Sequence, residues 1–157
     1  MRTVERDSHL PAPAFEVWGR IVTFEGINDE LRPWLTMSPP HHLTGASLDH
    51  APVGVPLGRA WLRAFGVLPF EWDNLTLAEV EPGRRFHELS SMITARRWEH
   101  ERTLTPVGTR STRIHDRVVF EARLGGRAAE TLMHLVVSAV FTHRHRRLRR
   151  HFGAARS

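Results

Sequence analysis

An α+β fold, in which a curved antiparallel sheet of about six or seven strands packs on one long C-terminal helix, is predicted by three observations on this 157-residue chain. From Arg59 to Arg123 the apolar residues recur with period two, punctuated by turn signals. After Gly125-Gly126 the period becomes helical and stays so to about Phe152. Ahead of both, a first strand is followed by two short helices rather than by another strand.

Val4 to Leu10 reads as that first strand, ended by Pro11 and Pro13. Ala14 to Val22 is a helix with Phe15, Val17, Trp18, Ile21 and Val22 available for burial, interrupted by Gly26. Asn28 or Asp29 caps a second short helix through Leu31, and Pro33 ends it. Residues 38–58 are rich in proline and glycine and read as irregular structure with room for one edge strand. Arg59 to Val67 and Phe70 to Val80 are strands, and Glu81-Pro82-Gly83-Arg84 is a tight turn into the strand Phe86 to Ser90. A two-residue turn there groups Phe86 and Glu88 with Leu77, Leu75 and Asp73 on one face.

The next hairpin joins Arg96 to Thr105 with Thr112 to Arg123 and turns at Pro106-Val107-Gly108-Thr109. A register that sets Glu99 opposite Arg117 and His100 opposite Asp116 is favoured by charge complementarity. The last element, Arg127 to about Phe152, would span ~39 Å at 1.5 Å per residue. Leu132, Met133, Val136, Val137, Val140, Phe141, Leu148 and Phe152 form its apolar stripe, and Gly153 is its expected C-cap.

Composition narrows the function classes. The chain has no cysteine, which excludes disulfides, thiolate metal sites and a cysteine nucleophile, and fits a cytoplasmic location. Met1 to Leu10 lacks the apolar run of a signal peptide, and Leu135 to Phe141 is too short to span a bilayer. All 22 basic residues are arginine, and six of them follow residue 142, where there is no acid. The remaining 16 arginines face 17 carboxylates, so the excess positive charge belongs to the tail alone and is weak support for nucleic-acid binding.

Strand, two short helices, antiparallel strands and a long final helix is the order of the helix-grip fold, in which the sheet wraps the last helix around a cavity. His9-Leu10-Pro11-Ala12-Pro13-Ala14-Phe15-Glu16-Val17-Trp18 resembles the PAPxxxVW entry to the first helix of the START-like, Bet v 1-like (SRPBCC) superfamily, in particular its bacterial polyketide cyclase/dehydrase-type lipid-binding proteins. Glu81-Pro82-Gly83-Arg84-Arg85-Phe86 is similar to that family's strand turn, and the amphipathic helix after Gly126 also fits. The resemblance covers essentially the whole chain and implies one helix-grip ligand-binding domain over residues 1–153, with 154–157 a short tail. Superfamily members bind lipids, hormones and aromatic polyketides, and some catalyse cyclisation or act as regulatory partners, so it implies fold more than function.

The site prediction comes from the alternation itself. Trp98, His100, Arg102 and Leu104 on one strand, and Ile114, Asp116, Val118 and Phe120 on the next, point to the face the sheet should bury. Glu88, His100, Arg102 and Asp116 then form a ladder there, with Asp73 at its edge. Desolvating such groups costs several kcal/mol each, so they must pair, hydrate or face a cavity. The functional reading is a polar anchor for an otherwise apolar ligand, walled by Trp98, Phe86, Trp61 or Trp72 and by Val136 and Val140 of the helix. The competing one is a fully paired internal network.

Three functions follow from this reading. The favoured one is binding of a hydrophobic or aromatic small molecule, lipid or polyketide-like, between sheet and helix. The second is a polyketide cyclase or dehydratase with His100 and Asp116 as a general-base pair and Arg102 stabilising an enolate-like oxyanion. The third is a regulatory interaction module with a vestigial pocket. No metal or cofactor is expected: His41, His42 and His50 lie in irregular sequence, and His143 and His145 point about 200° apart on a helix. The segment His143 to His151 reads as a solvated helix end complementing the helix dipole, with anionic-membrane or nucleic-acid contact as the alternative, on a monomer or homodimer.

Overall fold

In the computed structural model, which describes residues 1–154, strand β1 (Arg2–Leu10) leads into helices α1 (Ala14–Ile21) and α2 (Phe24–Leu31). Six strands follow, β2 (Leu35–Ser38), β3 (Pro56–Ala64), β4 (Leu68–Glu81), β5 (Arg85–Met92), β6 (Ala95–Pro106) and β7 (Thr112–Ala122), and then helix α3 (Gly126–Ala154). They form one curled antiparallel sheet in the order β1-β7-β6-β5-β4-β3-β2, with α3 against its concave face. Residues 155–157 of the expected tail lie outside the described residues. Among those described, no helix is long and apolar enough to cross a membrane.

The N-terminal helices differ from expectation in detail. α1 buries Val17, Trp18 and Ile21, with Val22 as its C-cap, but Phe15 is 74% exposed because it lies on the opposite side of the turn. α2 begins at Phe24 rather than Asn28, since the Thr23 hydroxyl caps it by accepting from the Gly26 N–H at 3.1 Å. Gly26 sits within that helix, where a Cβ would strike the Arg20 carbonyl, so the glycine permits the tight α1–α2 junction. Asn28, freed from capping, clamps β2 through paired bonds to the backbone of Met37. The edge strand is thus Leu35–Ser38, just ahead of the irregular segment.

Two strand registers also required correction. In the β6–β7 hairpin Arg102, not His100, lies opposite Asp116, and Glu101 faces Arg117. The loop is longer than expected, closing with the Val107 N–H on the Ser111 carbonyl at 2.8 Å. The shift is two residues, so every side chain keeps its face. At β4–β5 a three-residue turn is followed by a bulge between Leu77 and Glu79, which restores the expected pairing of Leu77 with Glu88 and of Asp73 with Met92. β3 ends at Ala64 rather than Val67, because Phe65 and Gly66 take positive φ in the turn.

The core has two parts. α1, α2 and the C-terminal half of α3, through Leu148 and Phe152, pack with Leu10, Leu104 and Ile114. Val137 and Phe141 pack with Val4, Val118 and Phe120 in a smaller cluster. In the N-terminal half of α3, Leu132 and Val136, expected in the buried stripe, are exposed, while Thr131 takes a hydrogen bond from Arg2 of β1. Gly153 lies within the last helical turn rather than capping it.

Candidate functional site

The even-numbered side chains of β6 and β7 face α3, as the alternation requires, and they divide into a sealed layer and an open one. Arg102 anchors the sealed layer and is 0% exposed. Its Nε and Nη2 donate to both oxygens of Asp116 at 2.7 Å, and its Nη1 and Nη2 donate to both oxygens of Glu30 on α2 at 2.9 and 3.0 Å. Asp116 also accepts from His100 Nε2 and His145 Nε2, each at 2.8 Å, while His145 Nδ1 meets the Ser8 hydroxyl at 2.8 Å. Glu30 takes a further bond from Arg144 Nε at 2.8 Å.

Every carboxylate oxygen in this layer is therefore engaged, which is the condition for burying such charges. Burial alone would raise both carboxyls; the Arg102 guanidinium and its hydrogen bonds outweigh it. Asp116 is held well below the usual carboxylate range, and Glu30, helped by Arg144, is also lowered.

The open layer borders a cavity of about 610 Å³ between β4, β5, β6 and the N-terminal half of α3. Ile27, Leu31, Met37, Met133 and Val140 are among its apolar walls. Its polar groups are Glu71, Asp73, Glu88, Thr94, His100, Arg123 and Arg144. His100 is gripped edge-on between Phe86 and Phe141, with ring centroids 5.2 and 5.1 Å away. Its Nε2 is fixed on Asp116, and its Nδ1 stands 3.8 Å from Glu88 Oε2. That geometry assigns the proton on Nε2 and turns Nδ1 toward the cavity side.

The acidic groups of the cavity are not equivalent. Glu71 holds the β5–β6 turn, accepting the backbone N–H groups of Ile93 at 2.6 Å and Thr94 at 3.2 Å. Burial and the neighbouring Glu88 carboxylate push Asp73 well above the usual range. Glu88 moves down: burial opposes this, but its contacts with His100, Asp73 and Ser90 outweigh it.

Of the residues expected to bind a ligand, Glu88, Trp98, His100, Val136 and Val140 line the cavity. Phe86 is buried behind His100, and Arg102 and Asp116 lie in the sealed layer beneath it. Trp61 and Trp72 stand opposite each other on the outer face, where Arg59 stacks on Trp72 at 4.7 Å; the alternation that turns Glu71 and Asp73 inward turns Trp72 outward.

Arg144 and His145 were expected on a solvated helix end, yet both are buried. The signal was their spacing, since residues 141, 144, 145, 148 and 152 continue the helical stripe. Arg146, Arg149, Arg150 and His151 of the same segment are exposed, whereas Arg147 binds Asp29 at 2.8 Å. Among the described residues no group of three or more histidine or carboxylate side chains is placed to hold a metal ion.

A family model described as a domain of unknown function, DUF8410, matches residues 8–152. No curated protein matches the chain. Solved structures share its fold at low identity. The Zhui aromatase/cyclase from Streptomyces sp. R1128 is 14% identical, with a TM-score of 0.67 over 94% of this chain and 90% of that one. A START superfamily protein from Mycobacterium smegmatis is 14% identical, with a TM-score of 0.55 over 89% of this chain and 95% of its own. The di-domain ARO/CYC BexL from the BE-7585A biosynthetic pathway is 16% identical at a TM-score of 0.65; 98% of this chain covers 47% of that one. The chain thus shares its fold with aromatase/cyclase and START superfamily structures.

Proposed function

The chain belongs to the DUF8410 family, and from the shape of its interior we propose that it binds a hydrophobic or aromatic small molecule, lipid or polyketide-like, between the sheet and the C-terminal helix. The observation that carries this is the 610 Å³ cavity, apolar along its walls and polar at Glu88 and His100. Its size falls within the ~300–1,000 Å³ of ordinary ligand sites. A rigid polar end in an apolar chamber fixes which way round a ligand lies. Trp98, Val136 and Val140 supply contact area, and Phe86, Arg102 and Asp116 act behind His100 by holding its ring. Residues 1–153 form the ligand-binding unit in this reading.

Titration with the neutral dye Nile red tests it, together with native mass spectrometry of freshly purified protein for a co-purified lipid or aromatic metabolite. Saturable one-to-one dye binding is expected, weakened about tenfold or more when Val140→Trp fills the chamber. No saturable binding, or an unchanged affinity in that variant, overturns the reading.

A second reading is favoured by one contact, the 2.8 Å bond from His100 Nε2 to Asp116. It orients Nδ1 as a general base for aldol-type cyclisation or dehydration of a bound polyketide, with Asp116 setting the tautomer. Arg102 enters only as the partner that fixes Asp116, since its guanidinium is enclosed by carboxylates. His100→Ala should abolish turnover of a polyketide substrate while keeping Nile red affinity within about tenfold. Unaffected turnover removes this mechanism.

A further inference from the structure

Resting on the binding reading above and going one step further, we propose that the cavity's ligand carries a protonated amine, seated between Asp73 and Glu88. The argument starts from an imbalance of donors and acceptors. Asp73 is 1% exposed and lines the cavity, yet its Oδ1 has no hydrogen-bond partner among the described residues. A buried acceptor left bare is costly, and such atoms in native interiors call for an explanation.

The side-chain donors around it have other partners. The Ser90 hydroxyl bonds Glu88 Oε1 at 2.8 Å, and His100 uses Nε2 on Asp116. Arg144, on the facing helix, bonds Glu30 through Nε and stacks on Phe141 at 5.0 Å. Glu71, the other carboxylate of β4 near Asp73, is saturated by backbone N–H groups of the β5–β6 turn. The groups facing Asp73 are thus acidic on β4 and β5, and the basic side chains that line the same cavity are His100 on β6, Arg144 on α3 and Arg123.

An ammonium group fits this deficit. It brings three donors, enough for the bare Asp73 oxygen and for Glu88, and a positive charge opposite two carboxyls that cannot both ionise alone. Burial and the neighbouring Glu88 favour the protonated form of Asp73, and the entering ammonium favours its carboxylate, so binding should release a proton to solvent. A hydroxyl would satisfy the oxygen but not the charge. A carboxylate ligand would face the two acids at this end of the cavity, with its cations at Arg144 and Arg123. The apolar body of the amine lies along Met133, Val140 and Trp98.

The test is calorimetric titration of the full chain at pH 7.5 with n-octylamine, n-octanol and n-octanoate, three ligands of one shape and different heads. Octylamine should bind at least about tenfold tighter than octanoate, with proton release detected by repeating the titration in buffers of different ionisation enthalpy. Asp73→Asn should remove the proton release and bring octylamine to within about threefold of octanol. Glu88→Gln, a second variant, should weaken octylamine without weakening octanol. Octanoate binding as tightly as octylamine, or proton release that survives Asp73→Asn, overturns the amine proposal. If octanol and Nile red still bind in that case, the binding function stands without it; if no probe binds, both fall.

Discussion

Replacing Arg102 by methionine removes one guanidinium while keeping most of the volume of its stem. Four hydrogen bonds go with it, two to Asp116 and two to Glu30, and two buried carboxylates lose their principal cation. Breaking one partner of a buried ion pair costs ~3–5 kcal/mol, because the remaining charge is left in a poor solvent. Against a typical total of ~5–15 kcal/mol this is severe. At ~2–4 °C per kcal/mol for a chain of this size, the midpoint should fall by about 6–20 °C. Urea unfolding followed by circular dichroism at pH 7 measures the loss directly.

The pH dependence supplies a second check on the same variant. Asp116 and Glu30 have lowered native pKa values, so their stabilisation is present above the unfolded carboxylate range of ~4 and drains away as pH falls through the native values. Without Arg102 both native values rise, and the variant gains from protonation where the parent loses. The gap between the two proteins should therefore narrow below about pH 5. A loss under about 1 kcal/mol at neutral pH, or a gap that does not change with pH, would refute the view that this cluster depends on its central arginine.

His145→Ala should cost ~2–3 kcal/mol by urea unfolding, since it strips Asp116 and the Ser8 hydroxyl of one buried bond each. Phe141→Ala should cost ~3–5 kcal/mol in the same assay, because this buried ring packs on His100 and joins α3 to the sheet. Asp73→Asn should act in the opposite sense. The native pKa of Asp73 is raised, so its contribution is fully present below the unfolded value and is lost as pH rises through the native one. The variant should match the parent near pH 4 and exceed it in stability at pH 8; a parent at least as stable at pH 8 would contradict the upward shift.

How much of this was legible in the chain depended on the range of the interaction. The inward orientation of residues 98–120 follows from local alternation, and a register error of two residues left it intact. The helix over 126–154 announced itself by its period. The start of α2 did not, because its cap is a threonine beyond the apparent break at Gly26. Arg144 and His145 were obscured by the arginine run around them; their partners Glu30, Ser8 and Asp116 come from α2, β1 and β7, more than twenty residues away in every case. The position of Trp72 could have been read, since it has the opposite parity to Asp73 on the same strand.

Because β1 pairs along its whole length with β7, its hydrogen-bonding edge waits for residues made roughly 100 positions later. At ~5–20 residues per second, a nascent chain carries that strand unpaired for about 5–20 s of translation. Such long-range closure makes for slow folding. During that interval the segment Arg2–Leu10 is protected chiefly by its own Glu5, Arg6 and Asp7, charges that disfavour edge-to-edge association with a neighbouring polypeptide on the same message.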